Sequence, residues 1–427
     1  MIKSLGLIAA SQLFGLVLGL VRVKVISLGL GPSGMALYGI IQNVSGVASN
    51  LFVFGTSGSL LKNMRRYKKS NLIENIIISI QMYIGLSCLI VFCAVQSILL
   101  KYEFFFDVSV FTLWIYLSII GLLSGLNSYR LAIVSLLESN SRLAFNIFAN
   151  SILMGGLISV VLYFYNFNIV IVFAYILAQF IYLFVDPAYS IRWVSRLKIW
   201  PKYSDVKRLF RSNTFKVSWY LFIVGFGPGI IMLNLRYKYL NLMGQDDFGR
   251  VSAIWSLYFI VEGLYTQYLG ATFLKDLGIK NESIKKKFSQ FFYLLLSVTL
   301  VGVFIAYFLN DLVVRILFST EFISQDLKII NFLSLLFIKI YIHLVGLILL
   351  KNFSVRKLFA LELLYFSTEI LLINTIASSI SFLELLLFLQ LIYATFVTFL
   401  IYLQRKLIFM PQILISFSLG FFGVLVL

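Results

Sequence analysis

Apolar runs of membrane-crossing length recur from one end of this chain to the other. A helix that crosses hydrocarbon needs roughly 20 consecutive apolar residues. Helices and closed barrels are the structures that satisfy every backbone N–H and C=O where no water is present. Reading the runs between their breakers predicts helices near residues 5–28, 36–61, 76–100, 108–137, 144–165, 168–190, 214–240, 249–274, 288–310, 327–350, 357–377 and 382–403. Hydrophobic residues make up 61% of the 427 and charged residues 12%, more apolar sequence than a soluble core of this length absorbs. The expectation is an all-α polytopic membrane protein of about twelve spans.

The longest link, Ile191 to Asn213, separates six spans from six. It divides the chain into a first bundle at 1–190, a linker at 191–213, a second bundle at 214–405 and a tail at 406–427. Within the tail, Ile413 to Leu427 is apolar. As a helix it would measure about 22 Å, short of roughly 30 Å of hydrocarbon. The apolar run after Lys3 carries no small-residue cleavage site before the next span, so it reads as a retained first helix.

Cations gather on alternate links. One side carries Lys62 to Lys69, Arg192 to Lys216, Lys275 to Lys287, Lys351 to Lys357, and Arg405 with Lys406. The opposite links carry far fewer. Because basic loops stay cytoplasmic, the N-terminus and the central link are expected inside the cell. The same dispersal accounts for most of the +18 net charge. Nucleic acid is not implied, since no single face or module collects the basic residues. Cys88 and Cys93 share one apolar run and read as small core residues, not as a disulfide framework.

Charges inside the runs carry the most functional information. Lys339 lies near the middle of Leu327 to Leu350, about 18 Å from either end of its helix, beyond the reach of its own stem. An intramembrane charge at that depth faces a wet cavity or a partner. Lys24 closes the first span with Arg22 half a turn further in, Arg130 lies in the fourth, and Arg236 and Lys238 end the seventh. Glu262 is central in the eighth, while Glu362 and Glu369 stand seven residues apart on one face of the eleventh. Arg22, Arg236 and Lys238 have snorkelling as an alternative. The acids have structural pairing with the cations as theirs. Glu362, on the next span, is the nearest candidate partner for Lys339 on a neighbouring helix. His343 falls one turn beyond Lys339 and reads as a core histidine. Cations outnumber acids in the outer half, a bias that suits an anionic head group.

Enzymatic alternatives find little support. Asp246-Asp247 is the one acidic pair on an outer link, without a companion acid or histidine, and reads as a solvated turn. A membrane glycosyltransferase or polymerase would need a long outer loop bearing carboxylates. The chain has no phosphate-cradling Gly-x4-Gly-Lys-Ser/Thr loop, so transport would run on gradients or mass action.

The string Lys24-Val-Ile-Ser-Leu-Gly-Leu-Gly31-Pro32-Ser33-Gly34 resembles the basic-x6-Gly-Pro-x-Gly signature of Wzx-type O-antigen and enterobacterial common antigen flippases. Ile231 to Arg236 with Gly249, Tyr265 to Thr272, Ser319 to Phe322 with Asp326, and the series Lys339, Gly346, Lys351 and Glu362 are similar to later parts of that family. The resemblance implies the multidrug/oligosaccharidyl-lipid/polysaccharide (MATE/MOP) fold, two six-helix bundles around a central cavity. It implies a bacterial inner-membrane flippase that moves an undecaprenyl-pyrophosphate-linked oligosaccharide from the cytoplasmic to the outer leaflet. Membrane lipids are its setting, with a polymerase and a chain-length regulator as associated proteins. On this reading Lys24, Arg130, Arg236 and Lys339 bind pyrophosphate and acidic sugars. Glu262, Glu362 and Glu369 are their charge partners or carry a coupling proton. No cofactor is implied, and coupling to a proton or sodium gradient stays open. Two departures stand out: the apolar tail, and Gln42 where the family carries a cation. A drug or metabolite exporter of the same superfamily is the alternative, although an exporter of cations would favour intramembrane acids over cations.

Overall fold

The structure is a computed structural model that describes residues 2–55, 72–104, 108–137, 140–165, 168–185, 213–258, 262, 281–318, 320–322, 335–336, 338–339, 341–342, 345 and 355–403. These residues are almost entirely helical, and no strand occurs among them. The central link and the apolar tail lie outside the described residues, as do His343 and large parts of the expected eighth and tenth spans.

Helix α1 runs Ile2–Val53. Its apolar portion, Ala10–Val53, is 44 residues long. At 1.5 Å per residue that is about 66 Å, twice the hydrocarbon thickness, so it must hold two crossings. The break falls at Gly31, with φ 64° and ψ −161°, and Pro32 follows. A left-handed φ costs glycine nothing sterically, and proline supplies no N–H to continue the ladder. The expected first and second helices therefore meet at a kink with no intervening loop.

Helix α2 is Leu72–Phe104. Helix α3, Val110–Leu137, begins where Ser109 Oγ accepts the Thr112 N–H at 3.0 Å, a side-chain cap on otherwise orphaned donors. Helix α4, Asn140–Ser151, passes through a π-helical turn at Ile152–Leu157 into α5, Ile158–Phe164. Helix α6 is Asn168–Phe184 and α7 is Asn213–Met243. A helical stretch at 245–258 follows, then α8, Asn281–Leu317, with non-helical geometry at Leu309. After α9, Val355–Ile376, a capping box opens α10, Phe382–Leu403. There Ser381 N–H donates to Glu384 Oε2 at 2.8 Å and Glu384 N–H returns to Ser381 Oγ at 3.3 Å.

Among the described residues, five helices are long and apolar enough to cross a membrane: Ala10–Val53, Ser79–Glu103, Val110–Leu131, Ser141–Phe164 and Phe215–Met243. Their outward sides are apolar. Leu28, Val91 and Phe164 are each more than half exposed, a surface that lipid solvates and water does not.

The chain forms two compact units, residues 1–30 with 37–234, and residues 31–36 with 235–427. In the first unit, small residues knit α1 to α3. Ser45 and Ser124 hydroxyls meet at 3.0 Å and Ser49 and Ser128 one turn later at 3.1 Å. Gly121 and Gly125 let α3 come up against Ala48 and Phe52. With no hydrophobic force between helices in lipid, close packing and such hydroxyl pairs hold them together. In the second unit the backbone at Gly249 lies so near the Pro32 carbonyl that a side chain at 249 would overlap it. Arg250 bonds Asp247 at 2.8 Å and its Nε donates to the Glu321 carbonyl at 3.0 Å.

Candidate functional site

The polar groups of the second unit converge from separated stretches of sequence. Lys339 Nζ stands 3.9 Å from Glu262 Oε1, with the two side chains 31% and 13% exposed. This is an ion pair too long for a hydrogen bond. On α9, Glu362 accepts the hydroxyl of Tyr393 from α10. Two turns on, Glu369 accepts the hydroxyl of Tyr365, which also lies 3.1 Å from the Leu389 carbonyl of α10. The rings of Tyr365 and Tyr393 pack at 4.4 Å. The Lys339 charge acts on both Glu362 and Glu369. Sequence proximity points Lys339 toward Glu362, but its ion-pair partner in the structure is Glu262. Glu362 instead accepts from Tyr393, a phenol on the following helix.

Arg236 sits elsewhere in this unit. It is 3% exposed, with its guanidinium 4.8 Å over the Trp255 ring, and Trp255 is backed by Phe382 at 4.5 Å. A guanidinium on an indole face gains cation–π attraction that grows as water leaves. Lys238, two residues on, donates to the carbonyls of Ile373 at 2.8 Å and Asn374 at 3.3 Å. It thereby caps the C-terminal end of α9, where a cation also meets the negative pole of the helix.

In the first unit Arg130 is 2% exposed. Its Nη1 donates to the carbonyls of Tyr182 at 2.6 Å and Leu183 at 3.1 Å, and its Nη2 donates to Asn146 Oδ1 at 3.1 Å. The guanidinium lies 4.1 Å from the Tyr182 ring centroid. Those carbonyls close α6, so Arg130 does for α6 what Lys238 does for α9. Arg22 Nη1 donates to the Met154 carbonyl in the π-helical turn at 2.8 Å, and its guanidinium lies 5.4 Å from the Tyr38 ring. Gln42 Nε2 donates to the Tyr38 hydroxyl at 2.6 Å. Position 42, where the resemblance implies a cation, thus supplies an amide to the residue that Arg22 packs against. Lys24 is half-buried, and lies about 200° around the helix from Arg22, so the two cations address different sides of α1.

The second unit therefore brings together Lys339, Glu262, Glu362 and Glu369. Sequence reasoning missed Tyr365 and Tyr393. Tyr365 was findable, since it stands three residues after Glu362 and four before Glu369, on their shared face. Tyr393 was not, because only the packing of α10 on α9 brings it there. Asp247, one half of the acidic pair, is engaged by Arg250. Among the described residues no group of histidine, cysteine and acids has the arrangement of a metal centre.

This architecture is shared with known transporters. The structure titled lipid II flippase MurJ, inward closed conformation, matches with a TM-score of 0.63 at 13% identity, covering 100% of this chain and 98% of that one. A MATE multidrug transporter, DinF-BH, in complex with R6G gives 0.64 at 14% identity over 95% and 96%. An outward-facing multidrug resistance MATE family transporter of the MOP superfamily gives 0.57 at 14% over 98% and 96%. No curated protein matches the sequence. The fold class is thus that of the MATE-like polytopic transporters and flippases. Residues 1–236 match the polysaccharide biosynthesis protein family. That is more than half of the chain, and the chain belongs to this family.

Proposed function

We propose that the protein is a flippase of the Wzx type, carrying an undecaprenyl-pyrophosphate-linked oligosaccharide from the cytoplasmic to the outer leaflet of a bacterial inner membrane. The observation that carries this reading is the loose Lys339–Glu262 pair. An ammonium at mid-span, held 3.9 Å from its carboxylate and 31% exposed, can exchange that acid for a phosphate oxygen at small cost. Family membership and the likeness to a lipid II flippase support a lipid-borne sugar as cargo. The polyprenyl tail would stay in the bilayer while the head group crosses.

Lys24, Lys339 and Arg236 are the proposed contacts for the pyrophosphate and acidic sugars. Arg236 is covered by Trp255 in the state described, so its turn comes in another state of the cycle. Arg130, with its donors on the end of α6, serves by fixing that helix. Glu262, Glu362 and Glu369 act as charge partners or carriers of a coupling proton. The halves at 1–190 and 214–405 would rock in alternating access, with the N-terminus and the link at 191–213 in the cytoplasm. A polymerase and a chain-length regulator would receive the product. The protein works as a transporter and not as an enzyme.

Export of drugs or metabolites is the competing reading, since MATE multidrug transporters share the fold. Deleting the gene and complementing it decides between them. Wild-type protein should restore surface polysaccharide, and Lys339→Ala should insert normally yet restore none. Intact surface polysaccharide in the deletion strain would refute the flippase reading.

A further inference from the structure

Counting hydrogens around Tyr365 leads to a proton. The Tyr365 hydroxyl owns one hydrogen but meets two acceptors, the Glu369 carboxyl on its own helix and the Leu389 carbonyl on α10. With Glu369 ionised, that hydrogen goes to the carboxylate, and the Leu389 contact at 3.1 Å is left as oxygen against oxygen. With Glu369 protonated, Glu369 donates to Tyr365, Tyr365 donates to Leu389, and both contacts become hydrogen bonds in one directed chain.

Charge balance points the same way. Glu369 is 8% exposed. The titratable groups that face it are Tyr365, Glu362 and Lys339, with Tyr393 beyond Tyr365. Lys339 already stands against Glu262, so among the described residues one ammonium serves three carboxyls. Keeping both further carboxylates ionised in a desolvated site is costly. Glu362 has a hydroxyl donor of its own in Tyr393, whereas the donor of Glu369 is divided, so the neutral one is Glu369.

We propose that Glu369 is a proton-binding site, occupied at neutral pH in this state, with Tyr365 as its two-position hydroxyl switch. This deepens the assignment of the acids as charge partners or proton carriers and rests on it. Loading forms an O–H bond on Glu369 with a proton that a hydronium ion of the aqueous phase gives up, leaving water. Tyr365 keeps its own proton and turns it from Glu369 to Leu389. Release reverses both movements, so α9 and α10 exchange one hydrogen bond for each proton carried.

The test is infrared spectroscopy of the full-length protein in lipid, independent of any transport assay, so its failure and the failure of the flippase reading are separable. Wild-type protein at neutral pH should show the C=O stretch of a protonated carboxyl group. The band should vanish in Glu369→Gln, persist in Glu362→Gln, and move to higher frequency in Tyr365→Phe, where the hydroxyl partner is gone. Selective ¹³C labelling of glutamate in wild type reads the same carboxyl by magnetic resonance if the glutamine variant does not fold. A glutamate carboxyl spectrum that is fully ionised at neutral pH, or a protonated band that survives Glu369→Gln, would overturn the proposal.

Discussion

Single side chains in this protein divide by what their polar atoms touch. Arg130 and Lys238 spend their donors on helix-ending carbonyls, whereas Lys339 meets a carboxylate without bonding it. The two kinds should fail differently. Arg130→Met strands the carbonyls of Tyr182 and Leu183 together with Asn146, at a cost of about 1–3 kcal/mol. The thermal midpoint in detergent should fall, while the protein that remains folded keeps its selectivity. Lys339→Ala should leave the midpoint nearly unchanged and abolish surface polysaccharide. Lys339→Arg should keep part of the activity, because the charge stays while the geometry shifts. If the Lys339–Glu262 pair were only structural, combining Lys339→Ala with Glu262→Ala would restore what each single change removes. That rescue, measured as polysaccharide on the cell surface, would sink the substrate-binding role. The sequence exposes these charges by depth alone, since depth follows from counting residues along a run. It does not reveal that Glu262, rather than Glu362, is the ion-pair partner, because that depends on how helices distant in sequence pack.

At the level of elements, the Gly31-Pro32 break shows how much a short string determines. The resemblance to a family signature lies in these residues, and the structure supplies their reasons: a left-handed φ at Gly31 and a backbone contact between Gly249 and Pro32 that leaves no room for a Cβ. Gly31→Ala should cost about 1–3 kcal/mol in strain, read as a lower thermal midpoint. Gly249→Val should do more, because the Pro32 carbonyl must move, and a variant as stable as wild type would contradict the contact. The breakers identify where the helices stop, so α3, α6, α9 and α10 fall close to their expected spans. The π-helical turn at Ile152–Leu157 has no comparable sign. Its Gly155-Gly156 pair marks only a place where a helix distorts easily, and Arg22 reaches the Met154 carbonyl there from a different helix.

For the whole molecule, the alternation of basic links gives an orientation that can be checked directly. Ser204→Cys, in the central link, should resist a membrane-impermeant thiol reagent in intact cells and react once the membrane is opened. Labelling from outside would invert the topology. Truncation after Lys406 should leave surface polysaccharide intact, since Ile413 to Leu427 is too short for a comfortable span. Fold class was legible because bilayer thickness imposes a length on every helix, whereas cargo is not written in any length or period. The central claim is that this chain moves a lipid-linked, anionic oligosaccharide across a bilayer. Its most direct test is reconstitution of the purified protein into vesicles carrying an undecaprenyl-pyrophosphate-linked oligosaccharide, with leaflet exposure read by a membrane-impermeant glycosidase. The account predicts that wild-type protein renders the inner-leaflet pool accessible and that Lys339→Ala does not. Accessibility no greater than in protein-free vesicles, or equal rates for the two proteins, would contradict it.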